Sequence, residues 1–156
     1  AVNWAVEKNI TSGTSETTFS PDDTCTRAQI LTFLWRAVGS PKAEGTNPFT
    51  DVSSGHYYYD AAVWAYQKGM VSGGKFSATA PCTRASTVMY LWKNAGSPDM
   101  GTVSTFTDVT SDADYANAVS WAVQNGVTSG TSETTFSPDM TCTRGQIVTF
   151  LKRAIK

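Results

Sequence analysis

The feature that most constrains this chain is that it repeats itself three times. Trp4, Trp64 and Trp121 lie 60 and 57 residues apart, and Cys25, Cys82 and Cys142 lie 57 and 60 apart. The stretch Thr-Ser-Gly-Thr-Ser-Glu-Thr-Thr-Phe-Ser-Pro-Asp occurs twice, at 11–22 and at 128–139. Its middle counterpart is shorter and diverged, at Val71-Ser72-Gly73-Gly74-Lys75-Phe76-Ser77. Phe-Thr-Asp-Val opens the second repeat at Phe49 and the third at Phe106, each 15 residues before that repeat's Trp. The same offset places the opening of the first repeat before residue 1. The repeats therefore read as 1–41 (N-terminally incomplete), 49–98 and 106–156. A single two-helix repeat cannot bury both of its faces, whereas three copies around a pseudo-threefold axis cover one another. The expected fold is mainly α: three helix-loop-helix repeats in one compact domain.

Within each repeat the periodicity predicts two helices. Helix A follows the Phe-Thr-Asp-Val turn and carries the Trp. In the second repeat it is expected over about 58–68, with Ala62, Val63, Ala65 and Tyr66 at helical spacing. Asn9, Gly69 and Gly126 stand where a left-handed residue would end this helix. A Ser-Gly turn, a Thr/Ser loop and Phe-Ser-Pro-Asp follow, expected as loop rather than long strands. Helix B is expected to start at Thr26, Thr83 and Thr143. Ile30, Leu31, Phe33, Leu34, Ala37 and Val38 give its first copy a wide apolar stripe. Gly39-Ser40-Pro41 and Gly96-Ser97-Pro98 end the first two copies, and the third is expected to run to Lys156.

Composition excludes several classes. Hydrophobic residues make up 40% of the chain, which supports a core and argues against disorder. A net charge of −1 with no Lys/Arg run leaves no electrostatic footprint for nucleic acid. No apolar run approaches the ~20 residues of a membrane helix. The chain shows no signal peptide and opens in mid-pattern, as a mature or trimmed fragment would. The three cysteines have neither zinc-finger nor disulfide-framework spacing. His56 is the only histidine, and no Ser-His-Asp or Cys-His set recurs with the repeats, so the chain does not read as an enzyme and implies no cofactor.

Helix B opens with Thr26-Arg27-Ala28-Gln29, Thr83-Arg84-Ala85-Ser86 and Thr143-Arg144-Gly145-Gln146. Thr followed three residues later by Gln is a capping box, worth about 1 kcal/mol for the Thr. Ser86 is too short to complete one. The arginines are what helix physics would not choose. The first helical position lies at the positive end of the dipole, where a cation is disfavoured by roughly 0.3–1 kcal/mol. A guanidinium beside free helix N–H groups makes a strong anion site. The competing explanation pairs each arginine with an Asp of a neighbouring repeat, and the two roles are compatible.

The ordered series Phe-x-Asp-Val, Trp-Ala-Val, Gly-x-x-Ser-Gly, Phe-Ser-Pro-Asp and Thr-Arg-Ala, recurring with variation over essentially the whole chain, resembles the S-layer-homology domain. That resemblance implies a three-pronged helical unit on a bacterial surface. It implies non-catalytic anchoring to secondary cell-wall polysaccharide, often bearing pyruvylated N-acetylmannosamine, in grooves between repeats. By position, Arg27, Arg84 and Arg144 take the role of the family's anion-binding arginine. The implied module is monomeric, secreted and part of a larger surface protein. The chain departs from the family at Gln29, Ser86 and Gln146, where Glu is usual, and at the cysteines, where an aliphatic residue is usual. Losing Glu either strengthens attraction for an anion or removes ligand contacts. Two other functions fit the same pattern: a protein–protein assembly module, and a binder of another wall polymer such as modified peptidoglycan.

Further candidates carry two readings each. Gly13, Gly73 and Gly130 serve either a turn or a close approach of backbone to a sugar. Trp4, Trp64 and Trp121 fit core packing better than sugar stacking, whereas Trp35 and Trp92, one position beyond the helix B stripe, are the better stacking candidates. Asp108, Asp112 and Asp114 lack EF-hand spacing and read as helix caps rather than calcium ligands. The cysteines read as small buried residues, with a three-thiolate metal site as the remote alternative if the helices B converge. His56 reads as a solvated or capping residue.

Overall fold

The structure, a computed structural model, describes residues 1–101 and 105–155. Six helices follow in pairs: α1 (Val2–Glu7) and α2 (Arg27–Ala37), α3 (Tyr59–Gln67) and α4 (Arg84–Asn94), α5 (Ala116–Gln124) and α6 (Arg144–Ala154). The odd-numbered helices are the expected helices A and the even-numbered ones the helices B. Among the described residues the only β pairing is a set of isolated bridges.

The local signals account for the helix ends. Asn9, Gly69 and Gly126 follow helices A in the left-handed region, at φ 57°, 70° and 66°. Thr26, Thr83 and Thr143 cap α2, α4 and α6, each accepting from the N–H three residues on. The reciprocal Gln contact completes the box at α2 and α6. Two expectations need correction. The third helix B stops at Ala154, with Ile155 extended, and Lys156 lies outside the described residues. The aspartates before α5 do not cap it: Tyr58 and Tyr115 stand at the N-caps of α3 and α5, with no side-chain cap.

The principal helix contacts cross repeat boundaries. Each helix A packs on the helix B of the repeat before it, α3 on α2 and α5 on α4, and α1 closes the circle on α6. The three helices B also meet one another, and Ile30, Leu34, Val88, Leu91, Ile147 and Leu151 are fully buried. Full burial of each such side chain contributes about 1.5–3 kcal/mol. No repeat has a complete core of its own.

The cysteines mark the pseudo-threefold axis. Cys25 N–H donates to the Cys142 carbonyl at 2.9 Å, Cys82 N–H to that of Cys25 at 2.9 Å, and Cys142 N–H to that of Cys82 at 2.8 Å. Bridges Thr24–Thr143, Thr26–Pro81 and Thr83–Thr141 flank this closed ring. The side chains are buried, and burial pushes the Cys25 and Cys82 thiols up to about 12. Cys82 Sγ instead contacts Thr87 Oγ1 at 3.2 Å, and the same hydroxyl lies 3.7 Å from Cys142 Sγ. Among the described residues no group of three His, Cys, Asp or Glu is placed to hold a metal, and all three cysteines are buried where the repeats meet.

Candidate functional site

The three motif arginines reach across repeat boundaries to one kind of acceptor. Arg27 Nη1 donates to the Phe76 carbonyl at 2.8 Å, Arg84 Nε to that of Phe136 at 2.8 Å, and Arg144 Nε to that of Phe19 at 3.0 Å. Each acceptor belongs to the Phe-Ser step of the next repeat, and the Ser there is left-handed: Ser20, Ser77 and Ser137 have φ between 55° and 58°. Asp51 and Asp108, the aspartates of Phe-Thr-Asp-Val, hold this step from behind. Asp51 accepts from Phe76 and Ser77 N–H at 2.8 and 2.9 Å, and Asp108 from Phe136 and Ser137 N–H at 2.9 and 2.8 Å. Those N–H donors hold the Asp51 carboxyl below its ordinary range. At Asp108 burial pulls the other way and the N–H donors prevail, helped by the Arg84 charge. Three motifs distant in sequence thus form one inter-repeat clasp, and the arginine partner is a carbonyl rather than the expected Asp.

A second expectation is overturned at the helix ends. The first two N–H groups of each helix B are not free for an anion. Arg27 and Ala28 donate to Ala80 and Ala78, Arg84 and Ala85 to Met140 and Pro138, and Arg144 and Gly145 to Asp23 and Pro21. The third N–H goes to the capping Thr. Of the orphan donors that a helix start presents, the first two join the repeats and the third is capped within its own helix. At Gly145 an added Cβ would come within 3.1 Å of the Pro21 carbonyl oxygen, a tight contact at a position where the other two repeats carry Ala28 and Ala85.

The three arginines are not equivalent. Arg84, 6% exposed, also donates Nη2 to the Ser129 carbonyl at 2.8 Å and lies 4.6 Å over the Phe136 ring. Arg27 donates to the hydroxyl oxygen of Tyr90, the residue that stands where the other repeats have Phe33 and Phe150. Arg144, 3% exposed, lies 4.8 Å over Phe19 and 5.4 Å over Phe33. Its Nη2 is buried without a hydrogen-bond partner among the described residues. A buried charged donor left unpaired is costly, by roughly 1–3 kcal/mol or more.

Arg144 forms part of the wall of a cavity of about 410 Å³. All three repeats contribute: Arg144 from α6, the loop 11–14, Gln29 and Arg36 from α2, and Tyr57 from the turn before α3. No Asp or Glu is among the described residues lining it. Partial burial raises the Tyr57 phenol pKa while the charges of Arg36 and Arg144 lower it, so both guanidinium groups act on this one phenol. Neither Tyr57 nor Arg36 was picked out from sequence. Tyr57 sits in a turn without periodicity, and Arg36 falls in the last turn of α2, where a cation needs no explanation beyond the helix dipole.

The remaining candidates take other places. Gln29 lines the cavity, with its Oε1 bound to Thr26 N–H at 3.0 Å. Gln146 makes the equivalent cap, and the Ser86 hydroxyl is bonded by Thr83. Gly13 lines the cavity, at φ 90°. Gly130 is pressed between Phe106 and the Thr135 carbonyl, each 2.5 Å from where a Cβ would stand. Gly73 packs against Pro48. The indole N–H groups of Trp35 and Trp92 donate to the Pro41 and Pro98 carbonyls at 2.8 and 2.9 Å, tying down the chain after helix B. Trp64 and Trp121 are core residues and Trp4 is half-buried. His56 Nδ1 accepts from Ser53 N–H at 3.1 Å and caps the turn before α3. No described helix is long and apolar enough to cross a membrane.

The chain matches the model of the S-layer homology domain in three segments, residues 1–31, 48–87 and 105–148. It is also similar to part of an amylopullulanase of Thermoanaerobacterium thermosulfurigenes, 28% identical over 92% of this chain and 8% of that protein. An endoglucanase of Bacillus sp. (strain KSM-635) is 37% identical over 50% of this chain and 8% of its own length. Exoglucanase XynX of Acetivibrio thermocellus is 25% identical over 92% and 15%. The chain thus spans less than a sixth of these relatives. Its three matched segments coincide with the three units that clasp one another through Arg27, Arg84 and Arg144. The chain belongs to the S-layer homology family, as three tandem repeats that form a non-catalytic module for anchoring at the cell wall.

Proposed function

We propose that this module binds an anionic secondary cell-wall polysaccharide in its inter-repeat grooves, with the cavity around Arg144 as the principal site. The observation that carries this reading is the buried Arg144 guanidinium, one Nη donor without a partner, in the wall of a 410 Å³ cavity lined by a second arginine. A carboxylate on a sugar, such as a pyruvate ketal, supplies the missing acceptor. Tyr57, 60% exposed, offers a ring face for stacking. Arg27 and Arg84 are more fully engaged within the protein and serve mainly as clasps. In this reading repeats 1–41, 49–98 and 106–156 act as one monomeric unit of a longer, secreted surface protein.

One charge-assisted hydrogen bond contributes about 1.5–3 kcal/mol, roughly tenfold to 150-fold in affinity. The test is sedimentation with bacterial walls, intact or stripped of secondary polysaccharide. The expected result is binding to intact walls only, reduced at least tenfold in Arg144→Met. Undiminished binding by folded Arg144→Met overturns the reading. Full binding to stripped walls redirects it to another polymer, such as peptidoglycan.

A further inference from the structure

We propose that Arg36 is a second ligand-binding cation in the Arg144 cavity, so that this groove selects ligands carrying two acidic groups over ligands carrying one. This rests on the groove reading above and deepens it. Three observations support it.

The first is placement. Arg36 lines the same cavity as Arg144, and no carboxylate among the described residues stands between them to neutralise either charge. Two like charges beside one cavity repel each other, and a bound dianion relieves that repulsion at both ends.

The second is the residue's free capacity. Arg36 Nη1 donates to the Ile10 carbonyl at 3.1 Å. A guanidinium has five N–H donors in a fixed fork, so this bond positions the group and leaves donors for a ligand. Arg36 also lines an adjoining cavity of about 330 Å³, together with Trp4 and Lys8. Arg36 thus contributes to the walls of both cavities.

The third is the comparison among repeats. Lys93 and Arg153 occupy the equivalent positions and make the equivalent bond to the segment after helix A: Lys93 Nζ to the Gly69 carbonyl at 2.9 Å and Arg153 Nη1 to that of Val127 at 3.4 Å. The latch is therefore common to all three repeats and is not the property that singles out Arg36. Arg153 lines a cavity with Trp121 and Asn125, without a motif arginine. Arg36 combines the latch with a cavity that it shares with Arg144.

The experiment uses the whole chain and two probes, acetate with one carboxylate and succinate with two. Arginine side-chain NMR signals follow each titration. Succinate is expected to bind about tenfold more tightly than acetate and to shift the Nε–H signals of both Arg144 and Arg36. Arg36→Gln is expected to abolish that preference by weakening succinate binding about tenfold more than acetate binding. Arg36→Lys, which keeps the charge, is expected to retain most of it, and Arg153→Gln all of it. Thermal melts of each variant confirm folding. Equal affinities for the two anions in wild type, or an unchanged preference in folded Arg36→Gln, overturn the proposal. If neither anion perturbs Arg144, the groove reading itself falls and this proposal with it. If acetate perturbs Arg144 and succinate gains nothing, the groove stands and only the role of Arg36 fails.

Discussion

Arg84 and Arg144 occupy the same position of the same motif, and each binds a Phe carbonyl of the next repeat through Nε. They differ at one further contact. Arg84 closes its fork on the Ser129 carbonyl, whereas the Nη2 of Arg144 finds no acceptor. The surrounding loops make the difference more instructive, because residues 11–22 and 128–139 are identical in sequence. Both form the same turn, with Thr14 N–H bonded to Thr18 O and Thr131 N–H to Thr135 O. They diverge at the glycine: Gly13 is left-handed at φ 90°, and Gly130, pressed against Phe106, is not. One sequence therefore builds the same clasp twice, at Phe19 and at Phe136, and lines the cavity beside Arg144 in only one of the two places.

Replacing the two arginines separates these roles. Arg84→Met removes two charge-assisted bonds and leaves the Phe136 carbonyl without its donor, while the Ser129 carbonyl keeps the Thr128 hydroxyl. A stability loss of about 3 kcal/mol is expected, read as a lower midpoint in denaturant unfolding, with wall binding retained under folding conditions. Arg144→Met loses one such bond but also removes an unpaired buried donor. Its stability loss is expected to be smaller, about 1 kcal/mol, while binding falls at least tenfold. If the two variants lose stability equally and binding equally, the distinction between clasp and site is wrong.

The capping threonines sharpen the same comparison at a smaller scale. Thr143→Ala on α6 breaks a complete capping box, and Thr83→Ala on α4 a half-formed one. Each is expected to cost about 1 kcal/mol, Thr143→Ala the more. Because α6 carries Arg144, wall binding is expected to weaken in Thr143→Ala and not in Thr83→Ala. Parallel melts and wall sedimentation check both expectations.

Much of this architecture was legible from sequence because it is written in local chemistry. The left-handed Asn9, Gly69 and Gly126, the Thr caps and the apolar stripe of helix B each act within a turn or two of their own position. The inter-repeat partners were not legible. The periodicity shows that Arg27, Arg84 and Arg144 are equivalent, but not that their acceptors are main-chain carbonyls, which every residue possesses. The same holds for the first N–H groups of each helix B, expected to be free and in fact spent on the adjoining repeat. Tyr57 and Arg36 escaped notice because their significance lies only in what they face across a repeat boundary. Trp35 and Trp92 attracted notice by residue type, and the structure gives their indole N–H groups to the chain reversal after the helix.

The smallest expected effect concerns acid, and it reports on the clasp alone. Asp108 presents the Phe136–Ser137 step to Arg84, and its carboxyl is depressed below the ordinary aspartate value of about 3.9. A group depressed in the folded state contributes stability that is present above its unfolded pKa and is lost as pH falls through its folded pKa. The clasp beside Arg84 should therefore weaken below about pH 4 and be insensitive to pH from 5 to 8. Asp51, Asp99 and Asp112 are depressed too, so the whole acid response does not isolate Asp108. The informative quantity is the difference between wild type and Asp108→Asn. That difference should be a modest loss of stability at pH 7 that shrinks as pH falls below about 4, the ordinary aspartate value, as protonation removes in wild type what the substitution has already removed. A gap that stays constant across this range would mean that the Asp108 carboxylate acts by shape rather than charge, and the coupling of Phe-Thr-Asp-Val to the motif arginine would then be steric.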